Sequence, residues 1–168
     1  MRKKNRNDII ITEEDTKNQM YLKDFKYKDM FKLLCYLVPE VDKERIIIED
    51  SGDGLIDKKG ILYLLVLDGK ILKVGSSTVS FKERVSSYNC GKKAFRNNGT
   101  CSTTNYFVLQ SLLNINKKVE VYYFFPEEIE MDVFGEKEMI SLPAKRFEKS
   151  ILTELKEKHK LPVLCTQK

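Results

Sequence analysis

The sequence lacks the residue clusters that build zinc sites. It contains one histidine, and its four cysteines form no Cys-x-x-Cys pair. Because zinc sites draw closely spaced ligands from these two residue types, we expect no zinc site. Unpaired thiols fit a reducing compartment. The sequence also contains no internal repeat and no low-complexity tract.

Long apolar runs are missing as well. No stretch is long enough to span a bilayer, and the chain does not start with the charged and then apolar segments of a signal peptide. We therefore expect a cytoplasmic protein with no membrane partner and no organic cofactor.

Positively charged residues are in modest excess. Lysine and arginine number 30 against 25 aspartates and glutamates, which gives a net charge of +5. This balance permits a polyanionic partner without requiring one. The chain starts with a small basic arm, which we interpret as either a solvated terminus or a phosphate-contacting segment; its charges are Arg2, Lys3, Lys4 and Arg6.

The 168 residues suggest one domain with an added N-terminal layer of about 58 residues. Thr12 and the three acids after it predict a helix within 13–22. Apolar residues at helical spacing predict a second helix over 27–37, ended by Pro39. Three isoleucines at 46–48 predict a strand. We assign 1–58 to a helical extension for recognition or dimerisation, with simple packing as the alternative, and 59–168 to the main domain.

Residues 60–76 form the central feature of the sequence. Two apolar runs flank Asp68-Gly69, which is a strong hairpin signal. Tyr63 and Lys73 each interrupt one run. The alternative to a chemical role is a Tyr and a Lys at the edge of a half-buried sheet. A two-residue turn would place the two side chains on opposite faces, so a shared site predicts a three-residue loop or a bulge.

The rest of the chain predicts a regular order of elements. Ser76-Ser77-Thr78 are expected to cap a helix over 79–88. Residues 89–102 resemble a loop, and a helix to about 115, a strand at 119–125 and a last helix over 144–158 follow. Residues 127–143 are an insertion that we cannot assign. The order is β-β-α-α-β-insertion-α.

Two positions on the predicted helices indicate chemistry. Glu148 lies four residues before Leu152 and seven before Leu155, so it faces inward with the apolar stripe. A buried carboxylate requires a partner or a metal, and a buried ion pair is the structural alternative. Arg84 and Tyr88 share one helix face, where they could bind phosphate oxygens. The alternative is an exposed arginine on an amphipathic helix.

Taken in order, these residues resemble the GIY-YIG nuclease domain over about 60–165. The first motif reads Gly-Ile-Leu-Tyr at 60–63, and the second reads Lys-Val-Gly at 73–75, followed by Arg84, Tyr88 and Glu148. The chain departs from the family at Lys73, where the family has Tyr, and after Pro162, where a family Asn is missing. In its size and in having no further domain after the core, the chain is most similar to a stand-alone type II restriction endonuclease of this family.

The resemblance implies an α+β fold with a small antiparallel sheet flanked by helices. It also implies hydrolysis of double-stranded DNA to 5′-phosphate and 3′-hydroxyl ends. Glu148 would ligate one Mg²⁺, with Mn²⁺ as an alternative, and Tyr63 would be the general base or orient the water. Lys73 would assist Tyr63, while Arg84 and Tyr88 would bind the scissile phosphate.

Cutting both strands of a palindrome further implies a homodimer. A basic segment after the first helix is our candidate for groove or backbone contacts, with a solvated turn as the alternative; it contains Lys92, Lys93, Arg96, Asn97 and Asn98. Three competing functions remain: a non-catalytic DNA-binding module on the same fold, a homing or repair nuclease, and a merely basic interaction protein.

Overall fold

The computed structural model describes residues 10–50 and 54–165, in which a five-stranded antiparallel sheet has the order β2-β1-β5-β3-β4. Its strands are β1 Lys32–Glu40, β2 Arg45–Asp50, β3 Lys59–Leu67, β4 Lys70–Ser80 and β5 Val119–Phe124. A separate hairpin consists of β6 Glu128–Val133 and β7 Glu136–Ser141. The helices are α1 Phe81–Asn89, α2 Lys93–Asn97, α3 Thr103–Ile115 and α4 Ala144–Glu157.

The predicted order of the main domain is confirmed from β3 to α4, with α1 and α3 as the two expected helices. Two details differ. The strand β4 continues through the expected cap at 76–78, and Ser80 caps α1 in a reciprocal capping box with Glu83. The expected loop at 89–102 contains the short helix α2.

The predicted helical N-terminal extension is wrong. Residues 13–22 contain the 3₁₀ turn Glu14–Thr16 and the first residue of a second one, Leu22–Asp24. The expected helix over 27–37 is a 3₁₀ turn followed by β1. A bulge between Leu33 and Cys35 lets the consecutive residues Leu34 and Cys35 enter the same core, which interrupts the alternation that would mark a strand. Pro39 lies inside β1, beyond the last residue paired with β5. Proline has no N–H to donate, and this is tolerated at Pro39 because β1 is paired there with β2 alone.

The sheet separates two apolar cores. One core lies under α1 and α3 and includes Phe81, Tyr88 and Leu109. The other lies under α4 and the N-terminal turns and includes Ile151 and Phe25. Because β4 is an edge strand, groups from both faces meet along its open edge. Among the described residues, no helix is both long and apolar enough to cross a membrane.

Candidate active site

The β3–β4 hairpin brings Tyr63 and Lys73 to one face of the sheet. Asp68 and Gly69 form the two-residue turn with φ of 49° and 75°, and Leu67 pairs with Lys70. Between Leu65 and Val66 the register shifts by one residue. This bulge places Lys73 opposite Leu65 and Gly75 opposite Tyr63, so both polar side chains share a face. The bulge is the feature that a shared site requires.

The ring of Tyr63 lies directly over Gly75. A Cβ at position 75 would stand 2.4 Å from Tyr63 Cζ and 2.5 Å from its hydroxyl oxygen. A Cβ atom does not come so close to non-bonded atoms, so one of the two groups would have to shift. The glycine is therefore required by the passage of the tyrosine ring, which fixes where the buried hydroxyl lies.

We expect Gly75→Ala to lower the free energy of unfolding by about 1–3 kcal/mol, as overpacked core sites do. The same change in a Tyr63→Leu background should cost little, because leucine does not reach the position of the phenol ring. Urea unfolding of the four proteins in this double-mutant cycle measures the difference. An equal loss in both backgrounds would contradict the contact.

The hydroxyl of Tyr63 is part of a buried polar cluster. It shares a hydrogen bond with the Tyr88 hydroxyl, and both rings are fully buried. Arg84 Nε donates to Tyr63 Oη at 3.5 Å, and the guanidinium carbon lies 4.6 Å from the centroid of the Tyr88 ring. The structure thus joins the three residues. Tyr63 is fully buried, which excludes a tyrosine that reaches the solvent, and Arg84 is half-buried and not the fully exposed arginine of the alternative.

Burial dominates the titration of the two phenols. Loss of hydration raises the pKa of Tyr63 far above its usual value, against the opposing charges of Lys73 and Arg84. Loss of hydration also raises the pKa of Tyr88. Both groups are therefore neutral phenols near pH 7 in the structure as it stands.

Glu148 lies on the other side of the β4 edge. Its side chain is 7% exposed, and Ser76 Oγ on β4 donates a hydrogen bond to its Oε2. The inward orientation predicted from the helix pattern is confirmed. Because Ser76 also lines a surface cleft, the carboxylate is one hydrogen bond away from that cleft.

Lys73 reaches the same edge from the face that carries Tyr63. It is 7% exposed, which excludes a solvent-facing lysine, and its Nζ donates to the Leu164 carbonyl oxygen at 3.4 Å. Lys73 and Glu148 both line a small cavity of about 80 Å³. That volume accommodates several water molecules.

A C-terminal turn, Val163–Cys165, covers part of this edge. The N–H of Val74 donates to Cys165 Sγ at 3.4 Å, and the thiol donates to the Val74 carbonyl oxygen at 3.2 Å. The turn therefore pairs with the open edge of β4 next to Lys73. It follows Pro162, in the segment where the sequence departs from the GIY-YIG pattern that it resembles.

The cleft beside these groups has a volume of about 490 Å³. It is lined by Arg84, by Ser76 to Val79 and by three lysines, namely Lys58, Lys59 and Lys145. Sequence reasoning missed Ser76 as the partner of Glu148 and these lysines as cleft residues. The one available signal was Lys145, which lies three residues before Glu148 and hence on the same side of α4.

The other predicted contacts lie elsewhere. The segment with Lys92, Lys93, Arg96, Asn97 and Asn98 is outside the cleft lining; the Lys93 amide donates to Glu44 and Arg96 donates to Thr103 Oγ1. The basic arm with Arg2, Lys3, Lys4 and Arg6 lies outside the described residues.

Two solved structures are similar to this chain. The structure of "restriction endonuclease HPY188I in complex with product DNA" is 46% identical, with a TM-score of 0.76 over 100% of this chain and 99% of that one. A mutant of bacteriophage T4 EndoII is 16% identical, with a TM-score of 0.56 over 83% of this chain and 96% of that one, which shows a shared fold. No protein-family model and no curated protein sequence matches.

Proposed function

The chain belongs to the family of the restriction endonuclease HPY188I, and on this basis we propose that it is a sequence-specific type II restriction endonuclease. Its substrate would be double-stranded DNA, cut to 5′-phosphate and 3′-hydroxyl ends. The observation that carries the proposal is the cluster of Tyr63, Lys73, Arg84, Tyr88 and Glu148 around one strand edge, next to a lysine-lined cleft. The core would be of the GIY-YIG type, as the motifs suggest.

Each residue of the cluster has a role in phosphodiester hydrolysis. Arg84 would bind the non-bridging oxygens of the scissile phosphate, because a guanidinium offers a rigid fork of donors and stays charged. Tyr88 would hold the Tyr63 hydroxyl through their shared hydrogen bond. Tyr63 would accept the proton of the attacking water or orient that water, and the Lys73 ammonium would favour the charged phenolate.

The residues fit a hard divalent cation held by few protein ligands. Glu148 supplies one buried carboxylate, and the adjacent cavity has room for water. The described residues contain no group of three or more His, Cys, Asp or Glu that could form a full cage. One carboxylate with waters and substrate oxygens is the arrangement that Mg²⁺ prefers. When bound, the ion would stabilise the negative charge on the phosphate and the leaving oxygen.

We expect the purified protein to cut long duplex DNA into discrete fragments with Mg²⁺, and to leave it intact with EDTA, because Glu148 would hold a cation that cleavage requires. Agarose electrophoresis and end-labelling measure the fragments and their termini. A smear with Mg²⁺ would contradict sequence specificity, and fragments in EDTA would contradict the metal requirement.

A second candidate is a DNA-binding module without turnover, favoured by the lysine at position 73. DNA that stays intact both with Mg²⁺ and with EDTA, together with salt-sensitive binding in a gel shift, would support the binding module. A homing or repair nuclease on the same core is a third reading. Non-palindromic cut sites would favour that reading.

Double-strand cutting at a palindrome favours a homodimer with two such sites. The three cleft lysines are our candidates for backbone contacts beside the scissile phosphate. The segment from Lys92 to Asn98 and the arm at residues 2–6 remain candidates for contacts further along the duplex. The N-terminal layer, whose two strands extend the sheet, remains a candidate for DNA contact or dimerisation.

A further inference from the structure

One side of α4 carries a lysine row, defined as Lys145, Lys149 and Lys156. The spacings of four and seven residues put the three side chains on the same side of the helix. All three residues are exposed. Since a helix rises about 1.5 Å per residue, the row is about 16 Å long. At about 3.4 Å per base pair, that is the axial length of about five base pairs of DNA.

The three ammonium groups of the lysine row have no counter-ions in the fold. Among the residues that the structure describes, Lys145, Lys149 and Lys156 form no ion pair. The next lysine of the chain differs, because Lys158 Nζ pairs with Glu154 at 2.7 Å. Three unpaired cations in a row produce a positive potential along this side of α4, which attracts a polyanion.

The lysine row lines a groove of about 320 Å³. Leu152 and Leu161 contribute to its lining, and both are half-buried. The hydrocarbon stems of lysines add further apolar surface while their ammonium groups stay in water. This combination fits a sugar-phosphate backbone, because deoxyribose is largely hydrocarbon and each phosphate is an anion.

The groove adjoins the candidate active site. Glu148 lines both the groove and the small cavity that also contains Lys73. Lys145 lines both the groove and the cleft that contains Arg84. The lysine row therefore starts beside the proposed position of the scissile phosphate and runs away from it along α4. A DNA backbone that enters the cleft would meet the rest of the row next.

We propose that the lysine row binds consecutive phosphates of one DNA strand on one side of the cut. Such contacts fix the position of a duplex on a protein without reading its sequence. This inference rests on the proposed DNA-cleaving function, and it assigns the path that the substrate follows beyond the cleft.

The test is the affinity of the full chain for duplex DNA that carries a mapped cut site, measured by gel shift in EDTA over a range of salt concentrations. We expect Lys149→Gln/Lys156→Gln to raise the dissociation constant about tenfold or more. The slope of log affinity against log salt should become shallower by about 1.8, because each phosphate contact contributes about 0.9. Lys145 stays unchanged in this variant because it also lines the cleft.

The matched control is Lys158→Gln/Lys160→Gln, which removes the same charge outside the lysine row. Lys160 Nζ donates to the Asn18 carbonyl oxygen at 3.0 Å. The control should bind and cut DNA as the wild type does. A second variant, Lys149→Arg/Lys156→Arg, keeps both charges and should keep the salt slope of the wild type.

Neutral methylphosphonates, placed one at a time within about five base pairs of the cut, locate the contact on the DNA. Two of these positions should weaken binding by the wild type and leave the glutamine double variant unaffected. Equal losses of affinity in the double variant and its control would reduce the effect to net charge and overturn the inference. A double variant that binds and cuts as the wild type does would also overturn it, with the proposed nuclease intact. A wild type that neither binds nor cuts duplex DNA would remove the proposed function and this inference with it.

Discussion

Replacing Glu148 with glutamine is expected to lower the rate of DNA cleavage by at least about a thousandfold while DNA binding persists. The carboxylate is the one protein ligand that we propose for the divalent cation, and Lewis-acid stabilisation of a phosphoryl transition state is worth several kcal/mol. Each 1.36 kcal/mol corresponds to a factor of ten in rate. Glutamine has nearly the same shape, and its carbonyl oxygen still accepts the hydrogen bond from Ser76. The effect should therefore be chemical and not structural.

The measurement is single-turnover cleavage in Mg²⁺, together with a gel shift in EDTA and a thermal melt. Glu157→Gln is the matched control, because it makes the same change at an exposed position of the same helix. It should leave the rate unchanged. Cleavage by Glu148→Gln within tenfold of wild type would remove Glu148 from the metal site. Parallel losses of rate and melting temperature would make its role structural.

The sequence alone was sufficient where a local signal agreed with the tertiary environment. The Asp68-Gly69 turn depends on backbone conformation at two residues, and both have positive φ as expected. The stripe on α4 correctly placed Glu148 with Ile151 and Leu155. Reasoning about register also showed that Tyr63 and Lys73 could share a site only through an odd loop or a bulge, and a bulge is present.

The sequence was insufficient where long-range packing decides the structure. Residues 27–37 have apolar side chains at helical spacing, yet pairing with β2 on one side and β5 on the other makes Lys32–Glu40 a strand. The bond between Ser76 and Glu148 joins residues 72 positions apart. No periodicity within either segment could have predicted it. The same is true of the turn at Val163–Cys165, which meets Val74 across the edge of β4.

The position of the candidate site follows from the place of β4 at the edge of the sheet. A central strand would have hydrogen-bonded neighbours on both sides, and the two faces of the sheet would be separated. At an edge, Lys73 from one face and Glu148 from the other line one small cavity. The bulge adds one residue to β4, which puts the side chain of Lys73 on the same face of the sheet as Tyr63. The fold thus brings together an acid, an ammonium and a phenol that lie on three separate elements.

Replacing Tyr63 with phenylalanine is expected to lower the cleavage rate by about 10²–10⁴-fold, the range that general acid–base groups contribute. It should also remove the pH dependence of the wild type. Burial raises the pKa of the Tyr63 phenol, so the phenolate is a minor form that grows tenfold with each unit of pH below that pKa. If phenolate is the base, the wild-type rate rises with pH up to at least pH 9.

Tyr88→Phe is the matched comparison for this prediction, because both variants break the same buried hydrogen bond between the two hydroxyls. Leaving one buried phenol without that partner should cost about 1–3 kcal/mol of stability in each variant. Single-turnover rates between pH 6 and pH 9 separate their roles. Tyr88→Phe should be slower than wild type with the same slope against pH, whereas Tyr63→Phe should give a flat profile. A slope that survives in Tyr63→Phe would assign the titrating group to something other than Tyr63, and the phenol would then only orient the water.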